Sequence, residues 1–340
     1  MDFFGLDIGS HRIKAIQLAR KGDNFQLMAL VFGPSTAKGL LSEAESDLTA
    51  LAEAIKKIHQ EGRIKTENVV AALPQDQVFT RIITIPKLSE EELNSALRWE
   101  AEQYVPIPLD EVTLTHQIVG QVKEEGKEKM EVLLAAAPNR LIDKMMKVLK
   151  TAGLNAISLE TEIVAIARSL VLPNSEPTMI IDLGATATDL AIVEKGQVVF
   201  TRSVATAGEA LTRAVVIGLG LENGQAEAYK KAYGADPEKL EGKVHKAISP
   251  VLEIIVGEIE KAIQFYQSGE KEKKINRVIL TGGTAGLPEV ANLLAKKLNL
   301  EIQLGDPFGQ IIKDEVSVKI ASSDAPFYAV AVGLAMKEIG

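Results

Sequence analysis

The fold of this chain is decided by a stretch near its N-terminus, Phe3-Phe4-Gly5-Leu6-Asp7-Ile8-Gly9-Ser10, which returns in related form as Met179-Ile180-Ile181-Asp182-Leu183-Gly184-Ala185-Thr186. Both stretches have an apolar strand followed by an acid, an aliphatic residue, a glycine and a small residue. Each precedes a second strand that ends in a Lys-Gly turn, at Lys21-Gly22 and at Lys195-Gly196. A repeat of this kind predicts two lobes of related build that face each other.

The two repeated turns have the chemistry of a phosphate site. Glycine lets the backbone approach a phosphate without interference from a Cβ atom, and successive N–H groups in such a turn form an anion-binding concavity. Ser10 and Thr186 can add hydroxyl donors. Asp7 and Asp182 each end a strand, where ligands of open α/β sheets bind. Two acids beside a polyphosphate require a cation, and Mg²⁺ is the expected one. Lys14 could reach the β and γ oxygens as a point charge.

A third glycine loop follows the apolar strand 278–281. It reads Gly282-Gly283-Thr284-Ala285-Gly286, and a helix is expected to begin near Pro288. Glycines here would allow a flat adenine to lie against the backbone. Alone, each of these loops is more simply read as an ordinary turn at the end of a strand. Two matching copies together with a third glycine loop favour a nucleotide site.

Composition limits the function classes. The chain has 340 residues, of which 46% are hydrophobic and 25% charged, with a formal net charge of −8 and no cysteine. An acidic balance argues against broad nucleic-acid binding and against electrostatic docking on anionic lipid. The absence of cysteine excludes disulfides and thiolate metal sites. No apolar run approaches the roughly 18 residues that span a bilayer, and no secretory signal is visible, so a cytoplasmic location is expected.

The order of predicted elements indicates an α/β protein in three parts. A first lobe core is expected at 1–78, an inserted subdomain at 79–159, and a second lobe at 160–340 that includes the adenosine-binding part. The C-terminal helix is expected to return to the first lobe. The inserted part reads β-α-β-β-α-β, a common order for a small α+β unit.

The first helix of the inserted part has clear start and stop signals. Ser89 is a credible N-cap, and Glu92 stands three residues later, which makes a capping box. The helix is expected to end before Pro106, since proline cannot continue it. Trp99 is expected to pack against the subdomain from the apolar side of this helix.

With these motifs the sequence resembles the actin/hsp70/sugar-kinase ATPase superfamily. Within it, the sequence is similar to the PilM family of actin-like type IV pilus assembly proteins, which is related to FtsA. Asp7-Ile8-Gly9-Ser10 with Lys14 matches the first phosphate motif, 182–186 the second, and 282–284 the adenosine motif. The stretch Arg81–Pro108 is similar to what PilM-type sequences carry in their inserted subdomain. The resemblance covers essentially the whole chain.

The resemblance implies an actin-like ATPase fold, with two lobes built on duplicated ribonuclease-H-like cores and a small inserted α+β subdomain. It implies ATP and Mg²⁺ as cofactors, with Asp7 and Asp182 at the metal. Asp182 and Glu162 are the catalytic candidates, because they fall where the superfamily positions the attacking water. The simpler interpretation of Glu162 is an exposed acid at a helix start. Glu227 and Lys230 resemble residues that contact the ribose. The expected cofactor-binding residues are Asp7, Gly9, Ser10, His11, Lys14, Gly184, Ala185, Thr186, Gly208, Glu227, Lys230, Gly282, Gly283 and Thr284.

The resemblance also implies a partner, the N-terminal cytoplasmic peptide of a PilN-like inner-membrane protein, docked between the inserted subdomain and its neighbour. The candidate region is 69–85 with the helix after it. The expected function is an ATP-binding component of a pilus, secretion or DNA-uptake platform, with at most slow ATPase activity. Membrane contact is expected only through partners, and self-association stays open. The alternatives are a small-molecule kinase of the same superfamily and a filament-forming cytoskeletal protein.

Overall fold

The computed structural model describes residues 1–124, 127–268, 274–312 and 323–338. The strands, in chain order, are β1 Phe4–Ile8, β2 Arg12–Lys21, β3 Asn24–Pro34, β4 Asn68–Leu73, β5 Phe79–Pro86, β6 Val112–Glu124, β7 Lys127–Pro138, β8 Asn155–Thr161, β9 Thr178–Leu183, β10 Thr188–Glu194, β11 Gln197–Val204, β12 Arg277–Thr281, β13 Ile302–Leu304 and β14 Ile311–Ile312. The α-helices are α1 Glu45–Glu61, α2 Glu90–Glu102, α3 Asn139–Thr151, α4 Glu162–Leu170, α5 Gly208–Leu219, α6 Asn223–Tyr233, α7 Lys243–Ser268, α8 Val290–Leu298 and α9 Ala329–Ala335.

The two large sheets share one topology. The first has the order β14-β3-β2-β1-β4-β8 and the second the order β11-β10-β9-β12-β13. In the first sheet β1 pairs antiparallel with β2 and parallel with β4, which pairs parallel with β8. In the second, β9 pairs antiparallel with β10 and parallel with β12, which pairs parallel with β13. Apart from the short strand β14, the sheets repeat the same order and directions, which confirms the duplicated cores of an actin-like fold.

Both central strands are buried, as parallel strands covered on two faces must be. Every residue of β1 is buried, and β9 is buried except at Asp182. In the first lobe the main cluster of buried side chains comes from the sheet, α1 and α3. In the second lobe it comes from the sheet, α5, α7 and α8. A third cluster, between them, is built from α4, α9 and strands of both sheets, so the lobes share a core.

Helices α4 and α9 cross at very short range. A Cβ atom on Gly333 of α9 would lie 1.8 Å from the carbonyl oxygen of Ala165 in α4. Helix α9 also lies on the first sheet, where a Cβ atom on Gly5 of β1 would be 2.4 Å from the carbonyl oxygen of Ala331. Glycine is therefore required on both sides of α9, and this late helix packs on the earliest strand of the chain.

A half-buried ion cluster holds the two crossing segments together. Glu160, at the end of β8, accepts two hydrogen bonds from Arg168 of α4, at 2.6 and 2.8 Å, and one from Lys337 after α9, at 2.7 Å. Arg168 also donates to the carbonyl oxygen of Gly333 at 2.6 Å. Burial alone would raise the pKa of Glu160, but the Arg168 and Lys337 charges bring that pKa below its usual value.

The inserted sheet has the order β5-β7-β6 and is covered by α2. The capping box is confirmed: Ser89 accepts from the Glu92 backbone N–H and donates from its own to the Glu92 carboxylate. The packing role expected for Trp99 is wrong, because its ring is 64% exposed. Leu93 and Leu97 supply the buried face of α2 instead.

The segment 139–159, expected within the inserted subdomain, contributes to the first lobe. Strand β8 pairs with β4 as a member of the six-stranded sheet. Met145 and Leu149 of α3 are buried in the same cluster as Leu51 and Ile55 of α1. The order β-α-β-β-α-β fits either a closed subdomain or a chain that returns to its parent sheet, and the element order alone does not distinguish these. Among the helices described, none is long and apolar enough to cross a membrane.

Candidate functional site

The first repeated turn joins β1 to β2. The Gly9 N–H donates to the carbonyl oxygen of Arg12 at 3.0 Å and closes the turn. Pairing of the two strands sets Asp7 opposite Lys14. The Lys14 ammonium donates to Asp7 Oδ2 at 2.5 Å, and Asp7 and Lys14 are only 2% and 9% exposed. The loop therefore presents a buried ion pair at the carboxyl end of β1.

The second turn repeats this geometry between β9 and β10. The Gly184 N–H donates to the carbonyl oxygen of Ala187 at 3.0 Å. Here strand pairing sets Asp182 opposite Asp189, where the first lobe has its aspartate opposite a lysine. A Cβ atom on Gly184 would lie 2.8 Å from the Ala187 carbonyl oxygen, and one on Gly9 would lie 3.0 Å from that of Arg12. Both turns leave little or no room for a side chain on their glycine.

The third glycine loop packs on the second turn. Gly282 has φ +94°, and a Cβ atom there would lie 2.4 Å from Asp182 Oδ1. Thr284 donates its hydroxyl to the Gly184 carbonyl oxygen at 2.9 Å. Gly208, the first residue of α5, donates to the same oxygen at 3.2 Å. The structure thus brings together predicted site residues from three separate segments of the second lobe.

Gly283 connects this assembly to the first lobe. A Cβ atom on Gly283 would be 3.7 Å from the ring of Phe327, and the centre of that ring is 4.2 Å from the Lys14 ammonium nitrogen. Phe327 belongs to the 3₁₀-turn Ala325–Tyr328 before α9. Gly283 of the third glycine loop and Lys14 of the first lobe therefore both lie close to one aromatic ring.

Acids of both lobes form one cluster, made of Asp7, Glu162, Asp182 and Asp189 (the acidic cluster). Burial raises the pKa of Asp182 to about 7, and the charges of Asp189 and of Asp7 in the other lobe add to the rise. The charge of Lys14 opposes it. Burial and the charges of Asp7, Asp189 and Asp182 raise the pKa of Glu162 well above its usual value. The charges of Asp7 and Asp182, one from each duplicated loop, therefore both act on Glu162.

Asp189 was not singled out from the sequence. Burial raises its pKa to about 6, with a further rise from Asp76, although a hydrogen bond from Ser203 opposes it. The residue is 6% exposed, and its Oδ1 has no hydrogen-bond partner among the described residues. A signal was present, since Asp189 follows Asp182 by the same seven residues that separate Lys14 from Asp7. The repeat predicts which position to inspect, though not which charge it carries.

Gln75 was also missed. Its backbone N–H donates to Glu162 Oε2 at 3.1 Å, from a short 3₁₀-turn that follows β4. The residue is 5% exposed, and its Oε1 and the hydroxyl of Thr161 are buried without a partner among the described residues. Gln75 and Glu162 are 87 residues apart in the chain, so no local pattern in the sequence could indicate their contact.

Lys230 lies beneath the site, at 4% exposure. Its ammonium donates to the Gly208 carbonyl oxygen at 3.0 Å, to Thr212 Oγ1 at 2.8 Å and to Glu227 Oε2 at 2.7 Å. Burial lowers the pKa of Lys230. Burial would raise the pKa of Glu227, but hydrogen bonds from Lys230 and Thr212 bring it to about 2. An ammonium has three N–H donors, and in this arrangement all three point to protein acceptors. Lys230 therefore has no N–H left for the ribose contact that was expected of it.

The remaining predicted residues lie at the tips of the two turns. Ser10, His11 and Thr186 are exposed, and Ala185 is half-buried. His11 Nε2 is 3.3 Å from Glu209 Oε1 in the first turn of α5, so this tip of the first lobe touches the second lobe. These residues line the edge of the closed cleft.

The donors and acceptors present fit a nucleotide with a divalent cation. Glycine-closed turns and a lysine suit phosphate oxygens. The orphaned Asp189 oxygen and the raised pKa values in the acidic cluster indicate unneutralised acid, which suits a hard cation. Within residues 1–124, 127–268, 274–312 and 323–338, no group of three or more acids or histidines is arranged to hold a metal unaided. A cation here requires oxygen ligands from elsewhere.

Comparison with known proteins bears on the family. The model of the family described as type IV pilus assembly protein PilM matches residues 5–339. The solved PilM-PilN type IV pilus biogenesis complex is similar, with a TM-score of 0.85 and 28% identity over 99% of this chain and 98% of that chain. Cell division protein FtsA of Pseudomonas aeruginosa is 23% identical, over 98% of this chain and 88% of its own length. MreB5 of Spiroplasma citri bound to AMPPNP shares the fold, with a TM-score of 0.53 and 14% identity over 98% of this chain and 94% of that chain.

Proposed function

Since the chain belongs to the PilM family of type IV pilus assembly proteins, we propose that it binds ATP with Mg²⁺ between its two lobes and serves in the inner-membrane platform of a pilus or a related secretion or DNA-uptake machine. The observation that carries this proposal is the acidic cluster. It draws one aspartate from each copy of a duplicated glycine turn, and the charge of Asp7 contributes to the raised pKa of Asp182 in the other lobe.

The proposed roles follow from where the groups lie. Bound Mg²⁺ supplies the positive charge that lets two acids adjoin a polyphosphate. Asp7 and Asp182 would hold it, and Lys14 would bind phosphate oxygens. The backbone N–H groups at the tips of the two turns, those of Ser10 and His11 and of Ala185 and Thr186, would donate to the phosphates. Glu162 or Asp182 would orient water for hydrolysis, which we propose to be slow, so that the nucleotide acts mainly as a structural ligand.

The test is the Asp7→Asn variant. Loss of a charged ligand typically costs about 1.5–3 kcal/mol, so ATP affinity is expected to fall about 10- to 100-fold and to lose its dependence on Mg²⁺. Titration calorimetry with and without Mg²⁺ measures both effects. Asp23→Asn, in the exposed turn after β2, is the matched control.

Folding is controlled with a second variant. Asp7→Asn leaves Lys14 buried without its counter-ion, which is destabilising. The double variant Asp7→Asn/Lys14→Met removes both charges and is expected to recover stability without recovering Mg²⁺-dependent binding. Unchanged ATP affinity in a folded Asp7→Asn protein would contradict the proposed site. Turnover that depends on an added sugar or carboxylate acceptor would favour a kinase.

For the partner, we propose that the cytoplasmic peptide of a PilN-like protein binds in a groove beside the inserted sheet. This groove, of about 250 Å³, is bounded by the 3₁₀-turn after β4, by the inserted sheet and by β11 of the second lobe. Arg81 covers the ring of Tyr104 at 3.5 Å on one wall. Phe79 and Tyr104 are 37% and 40% exposed. Aromatic side chains with adjacent backbone and a guanidinium suit an extended peptide.

The groove is tested by replacing Tyr104 with alanine. Aromatic anchors often cost about 2 kcal/mol or more when truncated, so peptide affinity is expected to fall at least about tenfold in fluorescence anisotropy. Trp99→Ala is a matched control, because Trp99 is an exposed aromatic residue on the preceding helix and is absent from the groove lining. Equal binding by wild type and the Tyr104 variant would refute this location.

A further inference from the structure

A chain of hydrogen bonds leads from the acidic cluster to the groove. The Gln75 N–H holds Glu162 Oε2 at 3.1 Å. The Gln75 side-chain amide donates to Thr80 Oγ1, also at 3.1 Å. The hydroxyls of Thr80 and Thr201 are 2.7 Å apart. Since Thr80 accepts from Gln75, its own proton is free to donate to Thr201, and such chains strengthen each member.

This polar chain (Gln75, Thr80 and Thr201) joins three parts of the fold. Gln75 lies at the end of the first lobe's β4, Thr80 in the inserted β5, and Thr201 in β11 at the edge of the second sheet. A second contact runs alongside, where Gln117 of β6 donates to Gln197 of β11 at 2.6 Å. The inserted sheet is therefore joined to the second lobe by polar groups, beside an apolar contact in which Leu133 packs in one cluster with Val193 and Val198.

All three members of the polar chain also line the groove. One wall belongs to the inserted sheet and the other to the second lobe, so the width of the groove depends on the position of the inserted sheet relative to the second lobe. The opposite end of the chain is Glu162, which shares the acidic cluster with Asp7 and Asp182. A ligand at either end therefore acts on the same interface.

We propose that Gln75, Thr80 and Thr201 are positioning residues that make binding in the nucleotide cleft and binding in the groove mutually dependent. This inference rests on the proposed function of both sites. The element with two arrangements is the contact between the inserted sheet and β11, which is closed in this structure. A nucleotide that favours the closed arrangement raises the affinity of a peptide that needs both walls, and the peptide raises nucleotide affinity by the same factor.

The experiment measures peptide affinity with and without ATP and Mg²⁺. The probe is a labelled synthetic peptide with the cytoplasmic N-terminal sequence of a PilN-like membrane protein. In the wild type, affinity is expected to differ by about 5- to 150-fold between the two conditions, the usual range of coupling between sites. In Thr201→Val and in Thr80→Val, which keep side-chain shape and remove the hydroxyl, this ratio is expected to fall at least threefold towards one.

Thr84→Val is the matched control, because Thr84 is exposed on the same strand β5 and does not line the groove. It is expected to keep the wild-type ratio. The ratio is the deciding quantity, since a merely structural defect would weaken binding equally in both conditions. A wild-type ratio of one, or wild-type ratios in both hydroxyl variants, would overturn the inference and leave the two binding sites standing. A wild type that binds neither ATP nor peptide would overturn the proposed function and the inference together.

Discussion

At the scale of single residues, the duplicated turns are alike in backbone and unlike in charge. Strand pairing sets Lys14 opposite Asp7 in the first lobe and Asp189 opposite Asp182 at the equivalent position of the second. Lys14 lowers the pKa of Asp182, whereas burial and Asp189 raise it. The first-lobe side of the cleft therefore carries a cation beside its aspartate, whereas the second-lobe side carries a second acid. A polyphosphate, whose charge is unevenly distributed along its length, is expected to bind in one orientation.

The raised pKa values predict an unusual dependence of stability on pH. In the folded protein Asp182 and Asp189 have pKa values of about 7 and about 6, above the usual 3.8 of aspartate. Between pH 4 and 7 the folded state therefore binds more protons than the unfolded chain, so the free energy of unfolding falls as pH rises through this range. Urea unfolding at pH 5 and pH 8, in the presence of a chelator, measures the fall.

Replacement of Asp189 with asparagine should reduce this fall by about 3 kcal/mol through loss of its own shift of about two pKa units, and further because the Asp189 charge no longer raises the pKa of Asp182. The variant is expected to be more stable than the wild type at pH 8 and closer to it at pH 5. Asp110→Asn, an exposed aspartate, serves as the control. A profile unchanged by Asp189→Asn would show that this carboxyl does not titrate abnormally.

Lys230 is predicted to act through position rather than through ribose contact. Its three protein acceptors tie the start of α5 to α6. Lys230→Met should lower the affinities for ATP and for 2′-deoxy-ATP by the same factor. The start of α5, which packs on the second turn, loses its hydrogen bond from Lys230, while no hydrogen bond to the ribose is lost. Competition titrations measure the two affinities, with the 65% exposed Lys231 as the Lys→Met control. A loss confined to ATP would instead support direct ribose contact.

At the scale of elements, α4 and α9 connect the two lobes. Each belongs to the cluster of buried side chains that both sheets share. Ser169 of α4 donates to the Ala329 carbonyl oxygen of α9 at 2.9 Å, close to where Gly333 meets Ala165. Small residues at this crossing let the helix backbones touch, so the crossing is sensitive to a single methyl group.

Gly333→Ala and Gly257→Ala form a matched pair for this idea. Both glycines lie inside helices, but a Cβ atom on Gly257 would meet nothing within 4 Å. Alanine is the better helix former, so Gly257→Ala should stabilise the protein by about 0.5–1 kcal/mol. Gly333→Ala should destabilise it by about 1–3 kcal/mol or more, since the helices must separate. Chemical denaturation gives both values, and equal effects would contradict the close crossing.

At the scale of the whole molecule, the cleft is closed. Asp7 and Lys14 are almost fully buried, so the proposed nucleotide is expected to reach them only after the lobes separate. The separation is opposed by the ion cluster in which Glu160 accepts from Arg168 and Lys337. Binding is therefore expected to be limited by opening of the protein.

Glu160→Gln should accelerate nucleotide association. The wild type is expected to associate more slowly than about 10⁵ M⁻¹s⁻¹, the lower end for binding without a conformational change. Removing the Glu160 charge weakens the tie between α4 and α9, and the rate should rise several-fold in stopped-flow measurements with a fluorescent ATP analogue. Glu338→Gln is the control, because its side chain is 79% exposed. A rate that is unchanged in Glu160→Gln would place the barrier elsewhere.

The sequence was informative where the determining contacts are local. The two Asp-x-Gly turns and the Ser89 capping box involve residues close together in the chain, so their patterns predict their geometry. The contact of Gln75 with Glu162 spans 87 residues, and no pattern encodes it. The sheet that β8 joins and the exposure of Trp99 depend on how finished elements pack, which the order of elements does not specify.

The position of α9 has a consequence for synthesis of the protein. Gly5 of β1 lies against Ala331 and Ala335, so this early strand is covered by residues that are synthesised much later. The strands of the second sheet, 178–304, emerge before α9 and can pair while the first lobe still lacks its cover. We therefore expect the second sheet to form first during translation, with the N-terminal lobe completed only after α9 has been synthesised.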